Sequence, residues 1–124
     1  MKCLIVIFSL FFSVLASANT AIVGAWIPEE SSQTMIIISQ EDNNFVGKIR
    51  QLPEEKRNGL DSKNPDVTLQ SRPLLGLKLL EGFSYNASKG QWDKGSIYDP
   101  KKGKTYRCVI KMPDEETLKI RGYI

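Results

Sequence analysis

Short stretches in which apolar and polar residues alternate occupy most of the chain, and polar turns separate them. Four of these turns are rich in Asn, Asp, Pro and Gly, as antiparallel hairpins require; they are 41–44, 86–90, 99–103 and 113–116. The alternation predicts seven strands, at 22–27, 34–40, 45–52, 77–85, 91–98, 105–112 and 117–124. Sequential strands should pair as an antiparallel meander, which buries its apolar face by rolling into a barrel or folding over as a sandwich.

One connection between these strands is much longer than the others. Residues 53–72 show no strand pattern, and a segment of this length in a small domain is expected to be functional or partly ordered. Its start, 53–59, resembles a single helical turn, with Pro and acidic residues first and Asn-Gly last. The oxygen-rich stretch 61–66 lacks the glycine and distal glutamate of an EF-hand loop, so we interpret it as an Asx turn rather than a calcium site.

Composition and charge exclude several kinds of chemistry. The chain contains no histidine, which excludes Ser-His-Asp and Cys-His catalysis and histidine-ligated zinc. The net charge is only +3, whereas a nucleic-acid-binding domain of this size usually carries a larger, clustered basic excess. The carboxylates of Asp93 and Asp99 match no hydrolase motif. We therefore expect no enzyme, no cofactor, no metal and no nucleic-acid partner.

The first 18 residues have the form of a signal peptide. Lys2 gives a positive start, 4–15 is an apolar run broken only by two serines, and 16–18 is an A-x-A cleavage site. The run is too short for a spanning helix. These features predict an exported, periplasmic or secreted protein with one domain at 19–124 and no membrane span after cleavage. Cys108 then remains without a partner for an intrachain disulfide, and we expect it as a buried thiol.

Eight short motifs, in order along the predicted domain, carry a resemblance to a known family. They are Gly24-Ala-Trp26, Gly47-Lys-Ile49, Asp61-x-x-Asn-Pro-Asp66, Ser71-Arg-Pro-Leu-Leu-Gly76, Gly82-Phe83, Trp92-x-x-Gly95-x-Ile-Tyr-Asp-Pro100, Gly103-Lys104-x-Tyr106 and Leu118-Lys-x-Arg-Gly-Tyr123. The chain resembles the bacterial exported proteins of domain of unknown function 2147. The resemblance implies a small lipocalin-like β-barrel, export from a Gram-negative cell and no assigned activity.

The resemblance implies structural roles for most of the motif residues. Gly24 and Trp26 are similar to the opening motif of lipocalins, in which the tryptophan plugs the closed end of the barrel. The other structural motif residues are Asp61, Asn64, Pro65, Asp99, Pro100, Gly103 and Tyr106. Members of the family usually continue into a further strand, whereas this sequence stops at Ile124. We therefore expect a barrel that is incomplete at its C-terminal strand and leaves an edge exposed.

Three candidate ligand contacts lie in the fifth predicted strand. Strand alternation places Trp92, Lys94, Ser96 and Tyr98 on one face. A face of this mixed character suits an amphipathic ligand, and it equally suits an aromatic pair packed under the long loop. Trp92, Lys94 and Tyr98 are therefore candidate binding residues.

Arg72 is the fourth candidate ligand contact. Pro73 holds it in an extended conformation at the end of the long loop. Its guanidinium either binds a carboxylate or phosphate of a ligand, or ties Asp61 or Asp66 to the barrel.

Two functions follow as hypotheses. The first is a periplasmic module that binds a small apolar or amphipathic ligand inside a partly open barrel, and it rests on analogy of fold. The alternative is an interaction protein of the cell envelope, which pairs with a protein partner or a second copy through its C-terminal edge strand. A ligand retained through purification would favour the first, and concentration-dependent self-association would favour the second.

Overall fold

The alternating stretches form seven antiparallel strands in one sheet, which curls into a half-barrel. The computed structural model describes residues 19–123. Each strand pairs with its neighbours along the chain, so the predicted meander is confirmed. The strand ends lie within two residues of their expected positions. The strands are β1 (Gly24–Trp26), β2 (Met35–Glu41), β3 (Asn44–Gln51), β4 (Lys78–Asn86), β5 (Gln91–Asp99), β6 (Lys104–Asp114) and β7 (Thr117–Tyr123).

The inner face of the curled sheet is filled by side chains. Eight core residues are each at most 4% exposed: Ile22, Ile38, Phe45, Leu80, Phe83, Trp92, Cys108 and Ile110. Burial of one such aliphatic or aromatic side chain contributes about 1.5–3 kcal/mol. The expected buried thiol is confirmed at Cys108, and burial raises its pKa to about 11.

Two indole groups hold the segment before β1 against this core. Trp26 Nε1 donates to the carbonyl oxygen of Ile22 at 2.8 Å, and Trp92 Nε1 donates to that of Asn19 at 3.1 Å. A turn closed by the hydrogen bond from Val23 N to Thr20 O, at 3.0 Å, directs Ile22 inward. Ile22 therefore belongs to the core rather than to β1, which explains why that strand is shorter than predicted.

The long loop between β3 and β4 is ordered by two short 3-10 turns and one bridge. The turns are η1 (Glu54–Lys56), where a single helical turn was expected, and η2 (Val67–Leu69). Leu60 and Pro73 form an isolated antiparallel bridge between the two halves of the loop. The carboxylate of Asp66 accepts a hydrogen bond from Thr68 N at 3.0 Å and caps η2. The predicted Asx turn is therefore present, and it begins the second 3-10 turn.

Strands β1 and β7 are the two edges of the sheet among the residues that the structure describes. Association of another chain with the β7 edge stays a prediction. The expected signal peptide, 1–18, lies outside the described residues. Within the described chain, no helix has the length and apolar character needed to cross a bilayer.

Candidate functional site

Strand β5 contains a β-bulge that rearranges the candidate ligand contacts. Its pairing with β6 shifts between Trp92 and Gly95, and Lys94 has a φ of +67°. The extra residue reverses the phase of alternation before it. The prediction that Trp92 shares a face with Lys94 and Ser96 is therefore wrong. Trp92 is 3% exposed in the core, whereas Lys94 and Ser96 line a cleft on the opposite face.

Gly95 is the sequence signal that indicates this bulge. A glycine inside a strand often marks a bulge or a close approach of backbone to another group. A Cβ atom built on Gly95 would lie 2.5 Å from ring atoms of Phe83, so a side chain there would displace the core. The close contact fixes the backbone next to Lys94, and the bulge is built into the packing.

The bulge opens an outward cleft of about 500 Å³, which we call the Lys94 cleft. Its wall residues alternate with core residues along their strands: Val46 follows Phe45, and Arg107 precedes Cys108. The cleft therefore lies on the outer face of the sheet. Its lining comprises Glu41, Asp42, Asn44, Val46, Lys78, Glu81, Gly82, Lys94, Gly95, Ser96 and Arg107.

Charges in the Lys94 cleft are distributed unevenly. The carboxylate of Glu41 forms ion pairs with Lys78 Nζ and Lys48 Nζ, each at 3.1 Å. Hydrogen bonds from these two lysines lower the pKa of the Glu41 carboxyl. Lys94 and Arg107, in contrast, make no ion pair among residues 19–123. The hydroxyl-bearing Ser96 is the strand partner of Arg107. The cleft thus presents two cations without an ion pair and the Ser96 hydroxyl, and its lining also holds two carboxylates that make no ion pair in the described chain, Asp42 and Glu81. The two cations and the hydroxyl can together bind an anionic group.

A second arrangement, the Asp61 cluster, consists of Asp61, Asn64, Arg72 and Tyr98. Asp61 is fully buried; its Oδ1 accepts from the Tyr98 hydroxyl at 2.6 Å. Its Oδ2 accepts from Asn64 Nδ2 at 2.8 Å and from Arg72 Nε at 2.9 Å. Of the two carboxylates considered for Arg72, the structure pairs it with Asp61. The guanidinium carbon also lies 5.8 Å from the centroid of the Tyr98 ring.

The Asp61 cluster shifts the pKa values of its acidic members in opposite directions. Burial by itself raises the pKa of Asp61, but the hydrogen bonds from Tyr98, Asn64 and Arg72 and the charge of Arg72 outweigh it and lower the pKa below 3.8. Burial, followed by the hydrogen bond to Asp61, raises the pKa of Tyr98 to about 12. Asp61 is therefore ionised and Tyr98 protonated at neutral pH. The carboxylate of Asp61 accepts hydrogen bonds from Asn64 and Arg72 of the loop and from Tyr98 of β5, so the arrangement binds the loop to β5.

The turn between β5 and β6 packs directly on the same loop. Gly103 has a φ of +65°, and a Cβ atom built on it would overlap the carbonyl oxygen of Lys63. Asp99 orders the turn, because its Oδ1 accepts from Lys101 N at 3.0 Å and its carbonyl from Gly103 N at 2.8 Å. Pro100 stands at the first turn position and Pro65 in the facing part of the loop. This contact joins two motifs that are far apart in sequence.

The carboxylates of Asp93 and Asp99 both serve local structure. Asp93 Oδ2 accepts from Asn86 Nδ2 at 2.9 Å and from Gln91 Nε2 at 3.1 Å, and these hydrogen bonds lower its pKa. Asp99 is occupied by the turn described above. Each carboxylate thus has a structural partner of its own.

Residues 24–124 match the family described as "Uncharacterized protein conserved in bacteria (DUF2147)". The chain belongs to this family. The structure is also similar to a solved protein, HP1028 from the human pathogen Helicobacter pylori, which is described as belonging to the lipocalin family. The TM-score is 0.66 at 17% identity, over 80% of this chain and 69% of that one. The fold is therefore lipocalin-like. A search of curated proteins finds no match.

The nine structural motif residues lie in three places in this fold. Asp61, Asn64, Pro65, Asp99, Pro100 and Gly103 meet where the long loop packs on the β5–β6 turn. Gly24 and Trp26 lie in β1 at the edge of the sheet, and Trp26 packs against the core. Tyr106 is half-buried in β6 opposite Ile97. Of the four candidate ligand contacts, Lys94 lines the open cleft, Arg72 and Tyr98 belong to the Asp61 cluster, and Trp92 lies in the core.

Proposed function

We propose that this DUF2147 protein binds a small amphipathic molecule with an anionic group, and that the Lys94 cleft is the binding site. The lipocalin-like fold is compatible with binding of a small ligand. The observation that carries the proposal is the backbone of Lys94, a non-glycine residue held in the left-handed region at the wall of the cleft. That conformation costs a residue with a side chain about 1–2 kcal/mol. Strain of this kind typically persists where it serves a function.

The chemistry of the lining supports an amphipathic ligand. Lys94 and Arg107 supply two cations that hold no ion pair in the described part of the chain, and Ser96 adds a hydroxyl between the strands. A carboxylate or phosphate would satisfy these donors. Val46, 4% exposed, is the one aliphatic residue among those that line the same cleft.

The filled inner face is the reason for placing the ligand outside the half-barrel. Phe83, Trp92 and Ile110 occupy the volume in which an interior ligand would lie, and each is at most 3% exposed. Opening that volume would sacrifice core packing, at about 1.5–3 kcal/mol per side chain exposed. Binding in the Lys94 cleft requires no such change.

Ligand retention followed by a head-group comparison tests this function. Native mass spectrometry of protein purified gently from its host should show added mass that denaturation removes. Calorimetry with decanoate and decanol should show binding of the acid and much weaker binding of the alcohol, because only the acid satisfies Lys94 and Arg107.

Three variants locate the site. Lys94→Gly and Arg107→Gln should each weaken decanoate binding about tenfold or more, the effect of a lost charge-assisted hydrogen bond. Lys111→Gln is the matched control, because Lys111 is an exposed cation on the same strand as Arg107 but outside the cleft. Equal binding by decanoate and decanol, or equal losses in all three variants, would contradict the proposal.

We also propose that the protein meets its ligand outside the cytoplasm, since the sequence predicts a signal peptide at 1–18. Cell fractionation should find the protein in the periplasm or medium, and N-terminal sequencing of that material should begin at Asn19. Cytoplasmic protein that still begins at Met1 would contradict export.

A further inference from the structure

The outward side of the long loop exposes an unusual number of large apolar residues. Leu60 is 48% exposed, Val67 75%, Leu69 37% and Leu75 42%. They account for four of the eight large apolar residues that are exposed in the described chain, although they come from 16 consecutive positions. We call these four residues the loop apolar face. Concentrated apolar exposure of this kind is typical of an interaction surface.

The local backbone forces the exposure of Leu60. Hydrogen bonds from Asp61 N to Arg72 O at 2.9 Å and from Leu74 N to Gly59 O at 3.0 Å make a short two-stranded ribbon. Side chains alternate along such a ribbon. Because Asp61 points inward and is fully buried, its neighbour Leu60 points away from the barrel. The Asp61 cluster therefore holds Leu60, one of the four residues of the loop apolar face, outward.

The exposed charges around this face are mostly positive. Of the three carboxylates of the loop and the adjoining turn beyond η1, Asp61 is fully buried, Asp99 is half-buried and Asp66 is exposed, and each accepts internal hydrogen bonds. The lysines of the same region, Lys63, Lys101, Lys102 and Lys104, are exposed and make no ion pair within residues 19–123. Lys63 lies against the turn that carries the other three. The four charges of η1 and the residue after it, from Glu54, Glu55, Lys56 and Arg57, cancel.

We propose that the loop apolar face docks on a bilayer surface that contains anionic lipids. Aliphatic side chains enter the boundary between head groups and acyl chains, and lysines bind the negative surface. A folded protein partner usually meets aromatic and arginine anchors in fitted contacts. The four residues of this face include no aromatic side chain, and exposed lysines lie in the same loop and in the turn that packs on it. This composition suits a fluid anionic surface better. The proposal does not depend on ligand binding in the Lys94 cleft.

Vesicle co-sedimentation of the exported protein tests the docking surface. The protein should pellet with vesicles of phosphatidylcholine and phosphatidylglycerol at three to one, but much less with pure phosphatidylcholine, and added salt should release it. Val67→Ser should reduce the partition coefficient about tenfold through lost apolar burial. Lys101→Gln with Lys102→Gln should reduce it by about fivefold per lysine.

Matched controls separate docking from general stickiness. Val23→Ser makes the same substitution at an exposed valine outside the loop. Val23 is 46% exposed and lies beside the 113–116 turn, at the end of β6 opposite the 99–103 turn. Lys111→Gln with Lys119→Gln removes two lysines that face each other across β6 and β7. Both controls should partition like the parent protein, and all variants should keep its thermal midpoint.

Three results would overturn the proposal. The first is an absence of sedimentation with the anionic vesicles. The second is an equal loss of partitioning in Val67→Ser and Val23→Ser. The third is a concentration-dependent dimer that Val67→Ser abolishes, because the face would then be an interface between copies. Failure of decanoate binding would not bear on this result, so the two proposals fail separately.

Discussion

The Asp61 cluster and the Lys94 cleft use similar residues of β5 and its surroundings in opposite ways. In the cluster, a buried carboxylate takes hydrogen bonds from a hydroxyl, an amide and the Nε of a guanidinium. In the cleft, an exposed lysine and arginine face a space of about 500 Å³ with no ion pair from the described chain. Polar groups that are hydrogen-bonded to one another stabilise the structure, whereas polar groups without a partner in the protein remain available for a ligand.

Six of the nine structural motif residues, Asp61, Asn64, Pro65, Asp99, Pro100 and Gly103, lie in the long loop and the turn it packs on, whereas the motif glycines Gly82 and Gly95 line the Lys94 cleft. Substitutions in the Asp61 cluster should therefore act mainly on stability, whereas substitutions in the Lys94 cleft should act mainly on binding. The following predictions test this separation.

Asp61→Ala should have the largest effect. It leaves the Tyr98 hydroxyl and the Asn64 amide without their buried partner and the Arg72 charge without its counterion. Removal of one member of a buried pair costs about 3–5 kcal/mol, and Arg72 is 38% exposed, which favours the lower end. Urea unfolding should report this as a lower midpoint.

Asp66→Ala is the control for that measurement, because Asp66 is an exposed carboxylate of the same loop that only caps η2. It should shift the urea midpoint far less. A loss from Asp66→Ala as large as that from Asp61→Ala would mean that the cluster has no special role in stability.

Gly103→Ala should cause the next largest loss of unfolding free energy. The new methyl group would overlap the Lys63 carbonyl and must also adopt a positive φ. Together, backbone strain and overpacking should cost about 2–4 kcal/mol. Gly90→Ala provides the control, because Gly90 has a φ of +61° but nothing within 4 Å of the added atom. Gly90→Ala should cost only the backbone term, about 1–2 kcal/mol.

Trypsin digestion separates the two glycine variants in another way. If Gly103→Ala displaces the loop, cleavage after Lys63, which is exposed and followed by Asn64, should accelerate in that variant and stay unchanged in Gly90→Ala. Similar unfolding free energies and digestion rates would show that the loop does not depend on its contact with the turn.

Tyr98→Phe should cost about 1–3 kcal/mol at neutral pH, because it leaves Asp61 Oδ1 buried without that donor. It should also change the response to alkali. The folded-state pKa of Tyr98 is raised from 10.0 to about 12. Its contribution is therefore fully present below pH 10 and is lost as the pH rises to about 12. The parent protein should lose more stability than Tyr98→Phe across that window.

At acid pH the same cluster should lose stability in the opposite direction of pH change, because the pKa of Asp61 is lowered whereas that of Tyr98 is raised. The pKa of Asp61 is lowered below 3.8, so its contribution is present above that value and is lost as the pH falls through the lowered pKa. Urea midpoints measured across both windows should separate the two groups. If the urea midpoint falls equally in the parent protein and in Tyr98→Phe between pH 10 and about 12, the pKa of the Tyr98 hydroxyl is the same in the folded and unfolded states.

Sequence patterns predict the meander well because its determinants are local. Turns such as 86–90 and 99–103 specify hairpins by themselves, and alternation specifies the faces of strands. The contact between Asp61 and Tyr98 joins positions 37 apart and depends on how the loop packs, which no local pattern describes. The face of Trp92 was predicted wrongly because one extra residue in a bulge reverses the alternation, although Gly95 is a signal for that bulge.

Lys94→Gly should have the smallest effect on stability and the clearest effect on binding. Glycine adopts a φ of +67° without the penalty that lysine bears there, so the variant should be more stable by about 1 kcal/mol. The same change removes one of the two free cations of the cleft, so decanoate binding should weaken. Thermal melts and calorimetry on one preparation measure both quantities. If Lys94→Gly is more stable but binds decanoate more weakly, the strained backbone of Lys94 serves ligand binding. If decanoate binding is unchanged, the strain at Lys94 does not serve ligand binding.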